Sequence, residues 1–267
     1  MSQALPAHDT VTMLRRNLRH IQRYPSLTLM LLAQPVLILL LFVFVFGETL
    51  GAGVRPDLAA GGRAAYLDYV VPGVLLFAIA GVGLGTAISV AADRTKGITS
   101  RFRTMGITRS SVLAGEVLGS MVQAAFVLVA VSLVAALLGY RPGGTAVGWV
   151  AAFALALAVA FAVIWICLAL GLNSRSVETA SNTPLLLIVL MFLSSAFVPA
   201  DSYPVGLRWF AEHQPFTPMI EGVRGLLDGT PEAATVITAL LWCAALSLAA
   251  YLWARRLYER EPAAIGG

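Results

Sequence analysis

Val70–Ala92 reads VVPGVLLFAIAGVGLGTAISVAA and runs directly into DRTKGITSRFRTMGITR, Asp93–Arg109. The first stretch carries no charge. The second holds the chain's single lysine, Lys96, together with Arg94, Arg101, Arg103 and Arg109 against one acid, Asp93. A helix needs about 20 apolar residues to cross the ~30 Å hydrocarbon core of a bilayer, and the first stretch supplies them. A short Lys/Arg-rich segment beside such a span resists translocation and is expected in the cytoplasm. The pair therefore names the solvent, a bilayer, and says which side of it is inside.

Working outward, four more runs are long enough to span: Ser26–Phe46, Val117–Leu138, Val147–Leu172 and Thr235–Ala254. A shorter run, Pro184–Val198, is expected to draw Ser181–Thr183 into its span, which makes six helices. Composition agrees, since 58% of the 267 residues are hydrophobic and 12% charged, where an ordinary soluble domain has about 25% charged. Mean hydropathy is +0.83. With the N-terminus inside, thirteen Lys and Arg face the cytoplasm, while five (Arg55, Arg63, Arg141, Arg208 and Arg224) face outward. An even number of spans puts both termini inside, and the net charge of +4 becomes a topology signal that requires no nucleic acid.

Residues 9–24 precede the first span. Val11, Leu14, Leu18 and Ile21 recur there at helical spacing with Arg15, Arg16, Arg19 and Arg23 on other faces, the pattern of an amphipathic helix lying on the inner membrane surface. The span after it is longer than a signal-peptide core and no A-x-A site follows closely, so it reads as an uncleaved first span.

Several chemistries fail on residue type. Cys167 and Cys243 sit singly inside apolar runs, and His8, His20 and His213 lie apart, so no metal constellation is available. A phosphate-binding P-loop needs Gly-Lys-Ser/Thr, yet Lys96 follows Thr95 and precedes Gly97. Gly81-Val82-Gly83-Leu84-Gly85-Thr86 has Thr where a dinucleotide loop needs Gly or Ala. Gly81 with Gly85, and Gly115 with Gly119, instead form GxxxG pairs that let helices approach closely, within one subunit or across a dimer. The spans hold no Asp, Glu, Lys, Arg or His, which a proton- or sodium-driven carrier usually places at mid-membrane. Their polar groups include Gln34, Gln123, Ser194 and Ser195, which serve either a weakly polar cargo path or hydrogen bonds between helices.

An energy source must then come from outside the spans. Ile98, Phe102 and Met105 recur every three or four residues, so a short helix there shows one apolar face with Arg101 and Arg103 beside it. That shape suits a groove on a partner protein, or else a solvated loop drawn to anionic headgroups.

The segment GITSRFRTMGITRSSVLAGE, Gly97–Glu116, resembles the coupling-helix loop of type-2 ABC transporter permeases, most of all the membrane subunits of daunorubicin-resistance-type exporters. Where that family commonly has Leu-Pro, this chain has Met105-Gly106, which leaves the helix end less sharply defined. A second likeness covers FLSSAFVPADSYPVGLRWFAEHQPFTPMIEGVRGLLDG, Phe192–Gly229: the end of the fifth span, an outer re-entrant portion and a Pro-x-Thr-Pro element that starts a short helix. There Thr217 is expected to cap and Pro218 to take the first helical position. Met219, Ile220, Val223, Leu226 and Leu227 are expected to form the apolar face, and Gly229 to end the helix. Glu221, Arg224 and Asp228 fall off that face, and Glu221 can pair with Arg224 at i,i+3.

The resemblance implies an all-α, polytopic membrane protein with six transmembrane helices, one permease domain over 1–267. It would have an interfacial helix at 9–24, a cytoplasmic coupling loop at 93–109 and an extracellular re-entrant region at 199–231. It implies ATPase docking through Ile98, Arg101, Phe102, Arg103 and Met105, and an outer gate containing Thr217, Pro218, Glu221 and Arg224. No cofactor would be bound by this chain; ATP and magnesium would sit on cytosolic ABC ATPase subunits. Further partners would be a second permease copy or a sister permease, and membrane lipids, in a bacterial plasma membrane. The cargo would be a hydrophobic or amphipathic compound, whether drug, antibiotic or lipid, moved outward. The alternatives are an ion-coupled carrier or channel, or an assembly or sensor subunit without transport.

Overall fold

The structure is a computed structural model, and it describes residues 25–54, 62–96 and 109–260. The amphipathic segment expected over 9–24 and the docking residues Ile98, Arg101, Phe102, Arg103 and Met105 lie outside the described residues. Among the described residues every regular element is helical: α1 (Pro25–Leu41), a π-helical turn (Phe42–Phe46), α2 (Gly47–Val54), α3 (Gly62–Thr95), α4 (Arg109–Leu137), α5 (Ala146–Asn173), α6 (Val177–Asn182), α7 (Leu185–Phe192), a 3-10 turn (Ala200–Ser202), α8 (Val205–His213), α9 (Phe216–Asp228) and α10 (Ala233–Arg260).

Five stretches are long and apolar enough to cross a membrane: Leu29–Leu50, Gly62–Thr95, Val112–Leu137, Ala146–Asn173 and Ala233–Tyr258. The remaining apolar run behaves differently from the expectation. Ser176 caps α6 by accepting from the Thr179 amide at 3.1 Å, but Pro184 then interrupts the helix, since it has no amide hydrogen and its ring crowds the preceding turn. α7 stops at Phe192, well short of Val198, and the chain turns through Leu193–Pro199.

α3 is the centre of the bundle. In its most apolar window 72% is buried, as against 61% for α5 and 17% for both the Leu29–Leu50 and α10 spans. At 34 residues it is about 51 Å long at 1.5 Å per residue, more than a hydrocarbon core requires. Missing side chains allow its closest contacts. A Cβ on Gly83 would stand 2.8 Å from Cys167 Sγ and 2.9 Å from Val163 Cγ1 of α5, and one on Gly73 would stand 2.4 Å from the Ala196 carbonyl oxygen. The intimate contact of the glycine run is thus Gly83, between the two residues of the expected GxxxG pair. Gly81 has only Leu31 Cδ2 at 3.8 Å, and Gly85 has open space within 4 Å. Thr86 joins α3 to α4 through a 2.8 Å hydroxyl bond with Ser120. α9 lies across α5 and α10, and the Gly144 amide donates to its Leu227 carbonyl at 2.8 Å.

These contacts separate two glycines that look alike in sequence. Gly73→Ala is expected to lower the melting temperature of the detergent-solubilised protein, because the new methyl meets backbone and overpacking costs about 1–3 kcal/mol. Gly85→Ala, facing open space, is expected to leave it unchanged or raised.

Candidate functional site

A helix end leaves its last four carbonyls without intrahelical donors, and an apolar surrounding supplies no water to replace them. α7 ends in that situation, and the residues converging on its end are the donors it needs. Gln214 Nε2 donates to the Leu190 carbonyl at 2.9 Å, the Ser194 hydroxyl to Met191, and the Tyr203 hydroxyl to Phe192 at 3.1 Å. Beyond the helix, the Ser195 carbonyl accepts from the Tyr69 hydroxyl at 2.8 Å and from Arg224 Nη2 at 2.9 Å, and the Phe197 carbonyl accepts from the Tyr66 hydroxyl at 2.9 Å. Burial pushes the Tyr203 phenol upward from its ordinary pKa, which keeps it a donor.

Arg224 is the most committed of these groups. Only 8% of the residue is exposed, a rare placement for a charge without partners. Its Nη2 also reaches the Tyr69 carbonyl at 3.2 Å. Its guanidinium carbon lies 3.9 Å from the centre of the Tyr69 ring, inside the range of a cation–π contact. Nη1 pairs with Glu221 one turn back on α9, and Glu221 is more open to solvent. The fork of the guanidinium thus joins α3, the Leu193–Pro199 turn and α9.

Local sequence explains the geometry. Tyr66 and Tyr69 share one face of α3 at i,i+3, and both hydroxyls point at the turn. α9 buries Met219, Ile220, Val223 and Leu227, as its spacing demands, and ends at Gly229 with φ 78°, the left-handed conformation glycine allows. Two expectations need correction. α9 starts at Phe216 with Pro215 before it, and the Thr217 hydroxyl donates to the Ala211 carbonyl, so Thr217 is not the cap and Pro218 is not first. Arg224, off the apolar face by spacing, is buried where it donates to the Ser195 and Tyr69 carbonyls. Phe197 closes the site, stacked at 4.6 Å on Phe42 of the π-helical turn and at 4.7 Å on Phe192.

Of the residues singled out for a cargo path, Ser194 and Ser195 are buried in this hub, while Gln34 is exposed on α1 and Gln123 half-buried on α4. The Ser195 hydroxyl and Gln214 Oε1 are buried with no partner among the described residues. Thr217, Pro218, Glu221 and Arg224 all line a cleft of about 390 Å³ that Glu212, Asp228 and Glu232 make acidic. The sequence does not single out Tyr66, Tyr69, Tyr203 or Gln214. The usable signal is the shortness of the Pro184–Val198 run, whose missing turns imply orphaned carbonyls, with Tyr66-x-x-Tyr69 as a paired donor.

Residues 8–227 match the family described as ABC-2 type transporter. The chain is 27% identical over 230 residues to the daunorubicin resistance ABC transporter permease protein DrrB1 of Streptomyces coeruleorubidus, covering 86% of this chain and 78% of that one. It is 22% identical over 177 residues to the probable doxorubicin resistance ABC transporter permease protein DrrC of Mycobacterium tuberculosis, covering 66% of this chain and 64% of that one.

Arg224→Ala is expected to destabilise the detergent-solubilised protein by about 2–4 kcal/mol, since it strips donors from buried carbonyls. Tyr69→Phe is expected to cost about 1 kcal/mol, because Ser195 retains the Arg224 donor. Thermal unfolding followed by protease sensitivity of residues 193–204 checks both, with Glu221→Gln as the milder control.

Proposed function

Because the chain belongs to the ABC-2 type transporter family, we propose that it is the permease subunit of an ATP-driven exporter whose cargo is a hydrophobic or amphipathic compound. Two such subunits, or one with a sister permease, enclose the path, and cytosolic ATPase subunits hold the ATP and magnesium. The relatives' names concern daunorubicin and doxorubicin resistance, which favours drug-like amphiphiles over polysaccharide.

The observation that carries the mechanism is the continuity of α3, an unbroken helix from the donor hub to the first residues of the basic segment. With the Arg94 end inside and the Tyr66 end outside, as the positive charges direct, a push on residues 93–109 travels along α3 to the outer hub. α6 and α7 supply the sixth crossing. Val177–Phe192 spans only about 24 Å at 1.5 Å per residue, so its end lies within the outer leaflet. The stretch over 199–231 returns from there as a re-entrant element. Thr217, Pro218, Glu221 and Arg224, which line one cleft, then stand at the exit. Both termini lie in the cytoplasm of a bacterial cell.

On the inner side Ile98, Phe102 and Met105 dock in a groove of the ATPase, with Arg101 and Arg103 pairing with its carboxylates. A buried aromatic anchor of this kind contributes about 2 kcal/mol or more to binding, roughly thirty-fold in affinity. Phe102→Ala, or Arg101→Glu with Arg103→Glu, is therefore expected to abolish coupled transport and reduce copurification of the ATPase, with the melting temperature of the permease unchanged. Copurification at undiminished yield would refute the docking role. ATPase stimulation of the reconstituted complex across a panel of lipids and amphipathic drugs identifies the cargo class.

A further inference from the structure

Arg94 sits in the last turn of α3, at the opposite end from the hub, where the basic segment begins. Its Nη1 donates to the carbonyl of Leu172 and, at 3.2 Å, to that of Ser174. Leu172 belongs to the last turn of α5, whose carbonyls lack intrahelical donors and carry the negative end of the helix dipole, so a guanidinium is favoured there. The contact is reinforced beneath. A Cβ on Gly171 would stand 2.6 Å from the Ala87 carbonyl oxygen, which means that α3 and α5 touch backbone to backbone in that turn.

The chain beyond α5 is held as firmly. The Ser174 hydroxyl donates to the Leu170 carbonyl at 2.8 Å and its amide to Gly171 at 3.3 Å, so the end of α5 is closed by its own cap. Two residues later Ser176 caps α6, and α6 packs against α3. The ends of α3, α5 and α6 therefore meet where α3 gives way to the docking segment, and Arg94 is the side chain that fastens α3 to the carbonyls between the other two.

We infer that Arg94 is a positioning residue that makes α5 and α6 move with α3, so that displacement of the basic segment enters the bundle through three helices. Two routes then reach the hub: one along α3 to Tyr66 and Tyr69, the other through α6 and α7 to the turn those tyrosines hold. This rests on the reading of residues 93–109 as the ATPase docking loop.

The test uses the full complex in nanodiscs, with spin labels on Thr95→Cys and Arg175→Cys. Both sites are exposed, whereas the natural Cys167 and Cys243 are buried. With Arg94 present, the distance between labels is expected to stay the same without nucleotide and with a non-hydrolysable ATP analogue. In Arg94→Ala it is expected to broaden and shift with the analogue. In sealed proteoliposomes, daunorubicin moved per ATP hydrolysed is expected to fall about five-fold or more while ATPase copurifies at the same yield, and Arg94→Lys should recover part of it. A nucleotide-dependent change of distance with Arg94 in place overturns the proposal without needing any variant to fold. An unchanged transport-to-hydrolysis ratio in Arg94→Ala also overturns it and leaves the docking reading intact. Absence of ATPase from the unsubstituted complex overturns both.

Discussion

A backbone carbonyl that leaves a helix inside a packed protein interior has no water to turn to, and α7 ends under that constraint among the buried residues Met191, Ser194, Ser195 and Phe197. The carbonyls of Leu190, Phe192, Ser195 and Phe197 accept from side chains drawn from α3, from the Tyr203 turn, from Gln214 and from Arg224 of α9. Each donor fixes the element that carries it, so the break in one helix positions the others. An amide–carbonyl bond in such a medium is worth about 4–6 kcal/mol gross, which makes each of these contacts costly to leave unmade. A continuous helix would have needed none of them, and α9 would have had no reason to bury an arginine.

α3 turns this local constraint into a property of the whole bundle. It brings Tyr66 and Tyr69 to the hub, Gly83 to α5, Thr86 to Ser120 of α4, and Arg94 to the end of α5. Its contacts are strong at both ends and close-packed in the middle, as expected of a helix that transmits displacement with little bending. The outer spans differ: α1 and α10 turn broad apolar faces away from the bundle, where residues such as Leu37, Leu241 and Leu248 are exposed. Lipid tails solvate such faces readily, so their exposure is ordinary for a protein in a bilayer.

The fold was mostly legible in the sequence because uncharged runs of this length have one solvent that accepts them. Five spans and the order of elements follow from that alone. The early end of α7 was hidden, since Leu193–Val198 is as apolar as a helix continuing and propensity carries no information about where a carbonyl finds a donor. The same blindness affected Arg224, which spacing places off the apolar face of α9 although hydrogen bonding draws it inside. The i,i+3 pairing with Glu221 was visible because it is local, whereas the partners of Tyr66 and Tyr69 lie 131 and 126 residues away. Glycine spacing misled by two positions on each side of Gly83, because a motif names a helix face but not the side chain that approaches it.

The wide sequence separation at the hub also sets an order in time. Tyr66 and Tyr69 are synthesised long before the carbonyls they serve, and Arg224 comes 29 residues after Ser195. At about 5–20 residues per second, the carbonyls of the turn after α7 are synthesised a few seconds before the guanidinium of Arg224. Until α9 follows, the Ser195 carbonyl has the Tyr69 hydroxyl but not its second donor. The turn after α7 therefore gains its full set of donors only once α9 has been made.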